Sequence, residues 1–369
     1  MKRLLTILYI VLPLLFLSGC GWSLESDRHD VERLLLIQTV GLDSQGTGMK
    51  MSVSSGLGEE ERPALVMSAP AASIEEAIAR LQTFSPENQL FYAHVQYLLL
   101  GTEAARSHLA SIIDWVDRNP TLRMDTNMII VKGRAEDAVV NASQQSTDIT
   151  ERLASLDRES RSTGWTVYTL REVAAALGSG QGALCLAVRT VPTEGEVFTE
   201  EKQGDAVIPI GYAVLSTDGL AGFLSANESM GAELITGDAT GILVAVEGNT
   251  LEILENDVEI EGVRSADGTP EGISIRCTLK TGLLEKSPDG DPDPDALDKA
   301  LSETAAAWLA GAVRQAQTLG CDFLDLKDAV LSTQKDQDRL GSSWEDILSG
   351  LDLDVTVDGK VDRRYDLAE

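Results

Sequence analysis

Cys20 is the residue best placed for a defined covalent step, because it closes the run Leu17-Ser18-Gly19-Cys20 behind an apolar stretch that starts at Leu4. Lys2 and Arg3 precede that stretch and would hold the start of the chain on the cytoplasmic side. The apolar run is shorter than the ~20 residues a spanning helix needs, and small residues precede the cut. This is the pattern of a bacterial lipoprotein signal. Residues 1–19 are expected to be removed, which frees the Cys20 amine and leaves its thiol to carry a diacylglyceryl group. Burial at ~0.8 kcal/mol per methylene makes one chain marginal and two a stable anchor. Pro13, inside the run, disfavours the alternative of an uncleaved anchor helix.

No other residue type offers comparable chemistry. Cys185, Cys277 and Cys321 show neither zinc spacing nor a Cys-x-x-Cys pair, and apolar neighbours such as Leu184 and Leu186 suggest buried thiols. One disulfide between two of the three stays open. The three histidines, His29, His94 and His108, do not fall on one face, and His94 reads as a core or edge histidine of a strand. A nucleophile elbow, a Walker loop and a Ser-x-x-Lys set are all missing. Gly178 to Gly182 is glycine-dense but follows a helix, so it reads as a helix stop and connector rather than a dinucleotide loop. The aspartates at 289, 291, 293 and 295 imitate a calcium loop, yet Pro294 stands where glycine must turn the chain and Ala300 where an acid must close it. A linker and helix start is the better reading. Neither catalytic residue, cofactor nor metal is therefore expected, and the chain reads as a non-enzyme.

Composition narrows the partners. A formal charge of −29 over 369 residues excludes a basic face for nucleic acid. The same sign keeps the body off an anionic leaflet, so the lipid is its expected contact with the membrane. The length suits two or three domains.

The elements that must carry these residues follow from hydrophobic period. Residues 34–40 read as a strand, well buried at its start, and 49–55 as its hairpin partner. Ser73 and Glu76 form a capping box opening a helix whose stripe is Ile74, Ala77, Ile78 and Leu81. Residues 90–100 read as one central strand, 103–118 as a helix and 128–131 as a strand. Helical patterns cover 135–140, 149–156 and 170–177, and 183–189 is a strand. A polar segment near 192–204 marks a boundary between a unit at 20–195 and one at 205–369. Beyond it, 207–215, 220–224, 240–246, 251–254 and 273–279 read as short strands of an antiparallel sheet. A helix at 227–235 has Asn227 as N-cap, and a long helix at 296–319 carries Leu297, Leu301, Trp308, Leu309 and Ala312. Short helices near 321–331 and 344–348 and a strand at 351–357 close the chain. The fold class is α+β, with a mixed β-sheet and helices in the N-terminal half and an antiparallel sheet plus long helix in the C-terminal half.

Together these segments resemble the Ger(x)C family, the lipoprotein C subunits of spore germinant receptors. The resemblance runs from the lipobox and Gly21-Trp22 through Leu36-Ile37-Gln38-Thr39-Val40-Gly41-Leu42-Asp43 to Ser73-Ile74-Glu75-Glu76-Ala77-Ile78. It continues in Phe91-Tyr92-Ala93-His94-Val95-Gln96-Tyr97-Leu98-Leu99-Leu100-Gly101 and in Gly211-Tyr212-Ala213-Val214-Leu215. Cys321-Asp322-Phe323-Leu324, Trp344 and Asp352-Leu353-Asp354-Val355-Thr356-Val357 are similar too. It implies a non-enzymatic subunit on the outer face of the cytoplasmic membrane, and of the inner membrane in the spore. The implied partners are integral-membrane A and B subunits, with no small-molecule ligand bound directly. A solute-binding lipoprotein of a transporter is the alternative, and it would show two repeated α/β lobes.

Overall fold

The computed structural model describes residues 34–56, 65–119, 122–141, 148–192, 205–237, 239–288, 290, 293–331 and 343–362. In the first half the strands are β1 (Leu34–Leu36), β2 (Thr39–Gln45), β3 (Gly48–Ser54), β4 (Val66–Ala71), β5 (Gln89–Phe91), β6 (Tyr97–Gly101), β7 (Asn127–Val131) and β8 (Ala183–Pro192). Its helices are α1 (Ile74–Phe84), α2 (Thr102–Ser107), α3 (Leu109–Arg118), α4 (Ile149–Thr163) and α5 (Leu170–Gly178), with a π-helical turn at Asp137–Asn141. Then come β9 (Asp205–Ser216), β10 (Gly219–Phe223), α6 (Ala226–Thr236), β11 (Leu243–Val246), β12 (Asn249–Arg264) and β13 (Pro270–Glu285). Helices α7 (Pro294–Leu319), α8 (Leu326–Val330) and α9 (Trp344–Gly350) precede β14 (Asp352–Asp362).

An eight-stranded sheet has the order β10-β9-β8-β7-β6-β2-β3-β4. Strands β2, β6, β7 and β8 run parallel, and antiparallel hairpins flank them on both sides. A parallel centre must be covered on both faces, and the near-continuous apolar runs of β6 and β7 meet that demand. Leu98, Leu100, Met128 and Ile130 enter one core with Ile112 and Val116 of α3. Tyr97, Leu99, Ile129 and Val131 enter the opposite core with Ile149 and Leu153 of α4.

A second sheet has the order β11-β12-β13-β14. Strands β11, β12 and β13 are antiparallel, while β14 joins β13 in parallel, from Gly272↔Asp352 to Gly282↔Asp362. Helix α7 lies on this sheet, burying Leu297, Leu301, Ala305, Leu309, Ala312 and Val313. Asp293 caps its start with Pro294 in the first turn, and Gly320 ends it in the left-handed region at φ 58°. Asp293 and Asp295 thus belong to a helix start, while Asp289 and Asp291 lie outside the described residues.

The α+β class stands, and several boundaries move. The strand expected at 34–40 is two: Leu34–Leu36 pairs with β5, and full burial begins only at Ile37. The central strand expected at 90–100 is also two, because a turn at Ala93 and His94 diverts the chain between β5 and β6. The helix expected at 103–118 breaks at His108, whose backbone is non-helical. Ser225, not Asn227, caps α6, forming a capping box with Glu228. At α1 the Ser73 hydroxyl accepts from the Glu76 N–H, but the Glu76 carboxylate reaches the Ala72 N–H instead of closing the box. The strand at 207–215 pairs with β8 and the strand at 220–224 pairs in turn with β9, so both complete the first sheet rather than building the second. Strands β12 and β13 are 16 residues each, longer than their apolar cores suggest, because polar residues continue the ladder.

Helices α6 and α7 cross at Gly231, where a Cβ would stand 1.9 Å from the Trp308 carbonyl oxygen. We expect Gly231→Ala to cost about 3 kcal/mol in urea unfolding, since the obstruction is backbone. Gly178→Ala, at the open end of α5 with nothing within 4 Å, should be neutral or stabilising.

Candidate interaction surface

Cys20, the expected acylation site, and His29 lie outside the described residues. His94 is exposed in the turn between β5 and β6 rather than in a strand, with its ring centroid 5.9 Å from that of Phe91. His108 sits at the α2–α3 junction, its Nε2 3.4 Å from Ser44 Oγ. Cys185, Cys277 and Cys321 are buried free thiols. Burial pushes Cys277 and Cys321 up to about 11, helped by Asp257 at the first and by Asp322 at the second, and Cys185 moves up further. Among the described residues no group of three or more His, Cys, Asp or Glu is placed to hold a metal.

Buried polar groups gather where the two halves meet. The Tyr212 hydroxyl, on β9, donates to Glu233 Oε2 on α6, and the Thr166 N–H donates to that hydroxyl at 2.6 Å. Thr166 Oγ1 donates to Glu233 Oε1 at 2.7 Å. Burial, then the Glu233 charge, pushes Tyr168 up to about 12 and Tyr212 further. Asp322, 4% exposed, accepts from the N–H groups of Leu324 and Leu326 on Oδ1, and from Lys327 N–H and Trp344 Nε1 on Oδ2. Its carbonyl accepts from the Gly182 N–H at 2.8 Å, tying the connector after α5 to the second half. These groups are satisfied, so their work is structural.

Two surfaces among the described residues bear on recognition. The outer face of the second sheet carries Glu255, Asp257, Glu259 and Glu261 on β12 and Asp352, Asp354 and Asp358 on β14. Arg276 and Lys280 of β13 lie between them, Arg276 on Glu259 and Glu261, Lys280 on Glu255. The face is therefore acidic. The other surface is a cleft of about 580 Å³ between α1, α3 and β5, with Glu75, Tyr92 and Trp115 in its lining. Trp115 Nε1 donates to Glu75 Oε1 at 2.7 Å. The sequence relates these residues by no motif. The available signal was Trp115 on a helix whose buried stripe, Leu109, Ile112 and Val116, leaves it to one side.

Three apolar cores lie about an eight-stranded and a four-stranded sheet, a fold of the α+β class. The comparisons give it a family. The model for the spore germination protein N-terminal domain matches residues 27–190. The spore germination B3/GerAC-like C-terminal model matches 210–365. The chain belongs to this family, that of the germinant receptor C subunits. The crystal structure of the GerBC protein is similar in fold, with a TM-score of 0.55 at 15% identity, over 87% of this chain and 96% of that one. No curated protein matches the chain.

Two outcomes follow. Asp322→Ala strands four donors and should cost on the order of 3 kcal/mol, read as a lowered urea midpoint. Iodoacetamide at pH 8 should label Cys185, Cys277 and Cys321 only after unfolding, because burial withholds the thiolate. Mass spectrometry of the native and denatured protein checks this.

Proposed function

We propose that this chain is a lipid-anchored, non-enzymatic subunit of a nutrient germinant receptor, held by Cys20 and docked to membrane-embedded A and B subunits. The family match over both halves carries the reading, with Leu17-Ser18-Gly19-Cys20 ahead of the first matched residue. Cleavage after Gly19 would leave a unit at 20–195 and one at 205–369 on the outer face of the cytoplasmic membrane, the inner membrane in the spore. Among the described residues no helix is long and apolar enough to cross a membrane, which fits attachment through a lipid. The segment between Cys20 and Leu34 reaches roughly 45 Å at full stretch, enough for the body to find a partner's outer loops while staying near the bilayer. Confinement to that layer raises the effective concentration of body and partner without any added contact. The acidic load suits basic partner loops and resists adsorption to anionic lipid. A solute-binding lipoprotein needs two similar parallel lobes, and the second half here is a largely antiparallel sheet under one long helix.

Cys20→Ala should move the protein from the membrane to the soluble fraction and slow nutrient-triggered germination. Mass spectrometry of the mature N-terminus should find acyl chains on Cys20, and affinity purification in mild detergent should recover polytopic partners. An unacylated N-terminus on membrane-bound protein, or normal germination without the chain or any paralogue, would remove the basis for this role.

A further inference from the structure

Strand β14 is covered along only half of its outer edge. Its register with β13 runs from Gly272↔Asp352 to Gly282↔Asp362 without a shift, so its backbone groups alternate strictly between β13 and the far side. Two observations fix which residues turn outward. The N–H groups of Gly359 and Val361 donate to Ser302 Oγ and Asp298 Oδ1 of α7, both at 2.9 Å, while the Lys360 carbonyl accepts from Thr281 Oγ1 of β13. Leu353, Val355 and Val357 therefore present their N–H and C=O groups on the same side as Gly359 and Val361. Among the described residues nothing bonds them there.

Sheet edges are usually blunted by proline, a bulge, lysine or a covering element. Helix α7 covers Gly359 and Val361, and the run Leu353-Asp354-Val355-Thr356-Val357 has none of these devices. What it has is charge of one sign. Leu353, Val355 and Val357 are half-buried against the core that includes α7, whereas Asp352, Asp354, Thr356 and Asp358 are exposed on the outer face. Arg276, opposite Thr356, is drawn to Glu259 and Glu261 of β12, and Lys360 takes Asp358 at 3.9 Å. Asp352 and Asp354 have no cation among the described residues. A second copy of this chain would set its own acids against them, so the edge disfavours self-pairing. An added strand with lysine or arginine beside Asp352 and Asp354, and aliphatic residues between, would satisfy the open backbone groups, match the charge and finish the burial of Val355.

We propose that β14 accepts an extended segment of a partner protein, of alternating basic and aliphatic residues, as a further strand on the four-stranded sheet. The inference rests on the edge itself, and it holds whether or not that partner is a receptor subunit.

The test uses the full chain in detergent micelles and two peptides, acetyl-Lys-Val-Lys-Val-Lys-Val-Lys-amide and its glutamate counterpart. Hydrogen exchange, read by mass spectrometry over 352–358, should be fast at Leu353, Val355 and Val357 in the chain alone and slow with the lysine peptide at saturation. The glutamate peptide should give no protection. Val355→Pro removes an outward N–H but keeps every charge and the ladder to β13, so it should weaken binding at least about tenfold with little change in melting temperature. Asp352→Asn together with Asp354→Asn should weaken it several-fold and flatten its dependence on salt. If Val355→Pro fails to fold, the lysine peptide N-methylated along its length takes its place and should not bind. Amides already protected in the chain alone, whether by a second copy or by another segment, overturn the proposal. Equal protection by the glutamate peptide does the same, as does full affinity in Val355→Pro or for the N-methylated peptide.

Discussion

From Gly211 to Leu215 strand β9 has no face to give to water, and the joining of the two halves follows from that. Tyr212 and Val214 point into the core built around α7, while Ala213 and Leu215 point into the core under α3. Successive side chains of a strand alternate, so one short run commits the chain to two apolar layers at once. Its ladder to β8, from Ala183↔Leu215 to Pro192↔Asp205, fixes the register, and a one-residue slip would exchange the two sets of side chains. Gly211, at φ 108°, sits beside the irregularity between Ala187 and Val188 and lies close to Ser229 Oγ on α6. The two halves are therefore coupled through covalent neighbours and shared burial rather than through a surface contact that could open freely.

Buried polar groups are matched beyond that junction as well. A strand pressed between two cores brings hydroxyls and carboxylates into low dielectric, where each must be matched. The matching is dense. Asp43 on β2 accepts from the Ala135 and Glu136 N–H groups, which starts the π-helical turn, and burial still holds its carboxyl above the usual range. Asp148 accepts from Ser54 and from the Thr150 N–H at the start of α4. With carboxylates serving as internal caps, a buried acid in this fold is evidence of architecture.

Local chemistry was legible in the sequence and long-range pairing was not. The stop of α7 at Gly320, the start behind Asp293-Pro294 and the connector after Gly178 followed from residues that act on their immediate neighbours. The turn at Ala93 and His94 stayed hidden because Tyr92 and Val95 on either side are themselves buried, so hydrophobicity runs unbroken through a change of direction. The membership of β9 and β10 in the first sheet depends on partners across the segment 193–204, which no local pattern encodes. The cleft was invisible for the same reason: Glu75 and Trp115 are 40 residues apart and meet only because α1 and α3 pack on the same side of the sheet. The membrane attachment inferred from Cys20 stands apart, since it rests on chemistry outside the described residues.

The parallel addition of β14 to β13 has a cost in time. Gly272 must wait for Asp352 to be synthesised before its ladder closes, and until then one edge of a 16-residue strand is bare. Such an edge is a template for pairing with other chains. Nascent copies leaving the ribosome are thus most prone to stick to one another at the moment before their last described strand arrives. The carboxylates alternating along β12 offer a remedy, since like charges on neighbouring copies repel while β13 is still open.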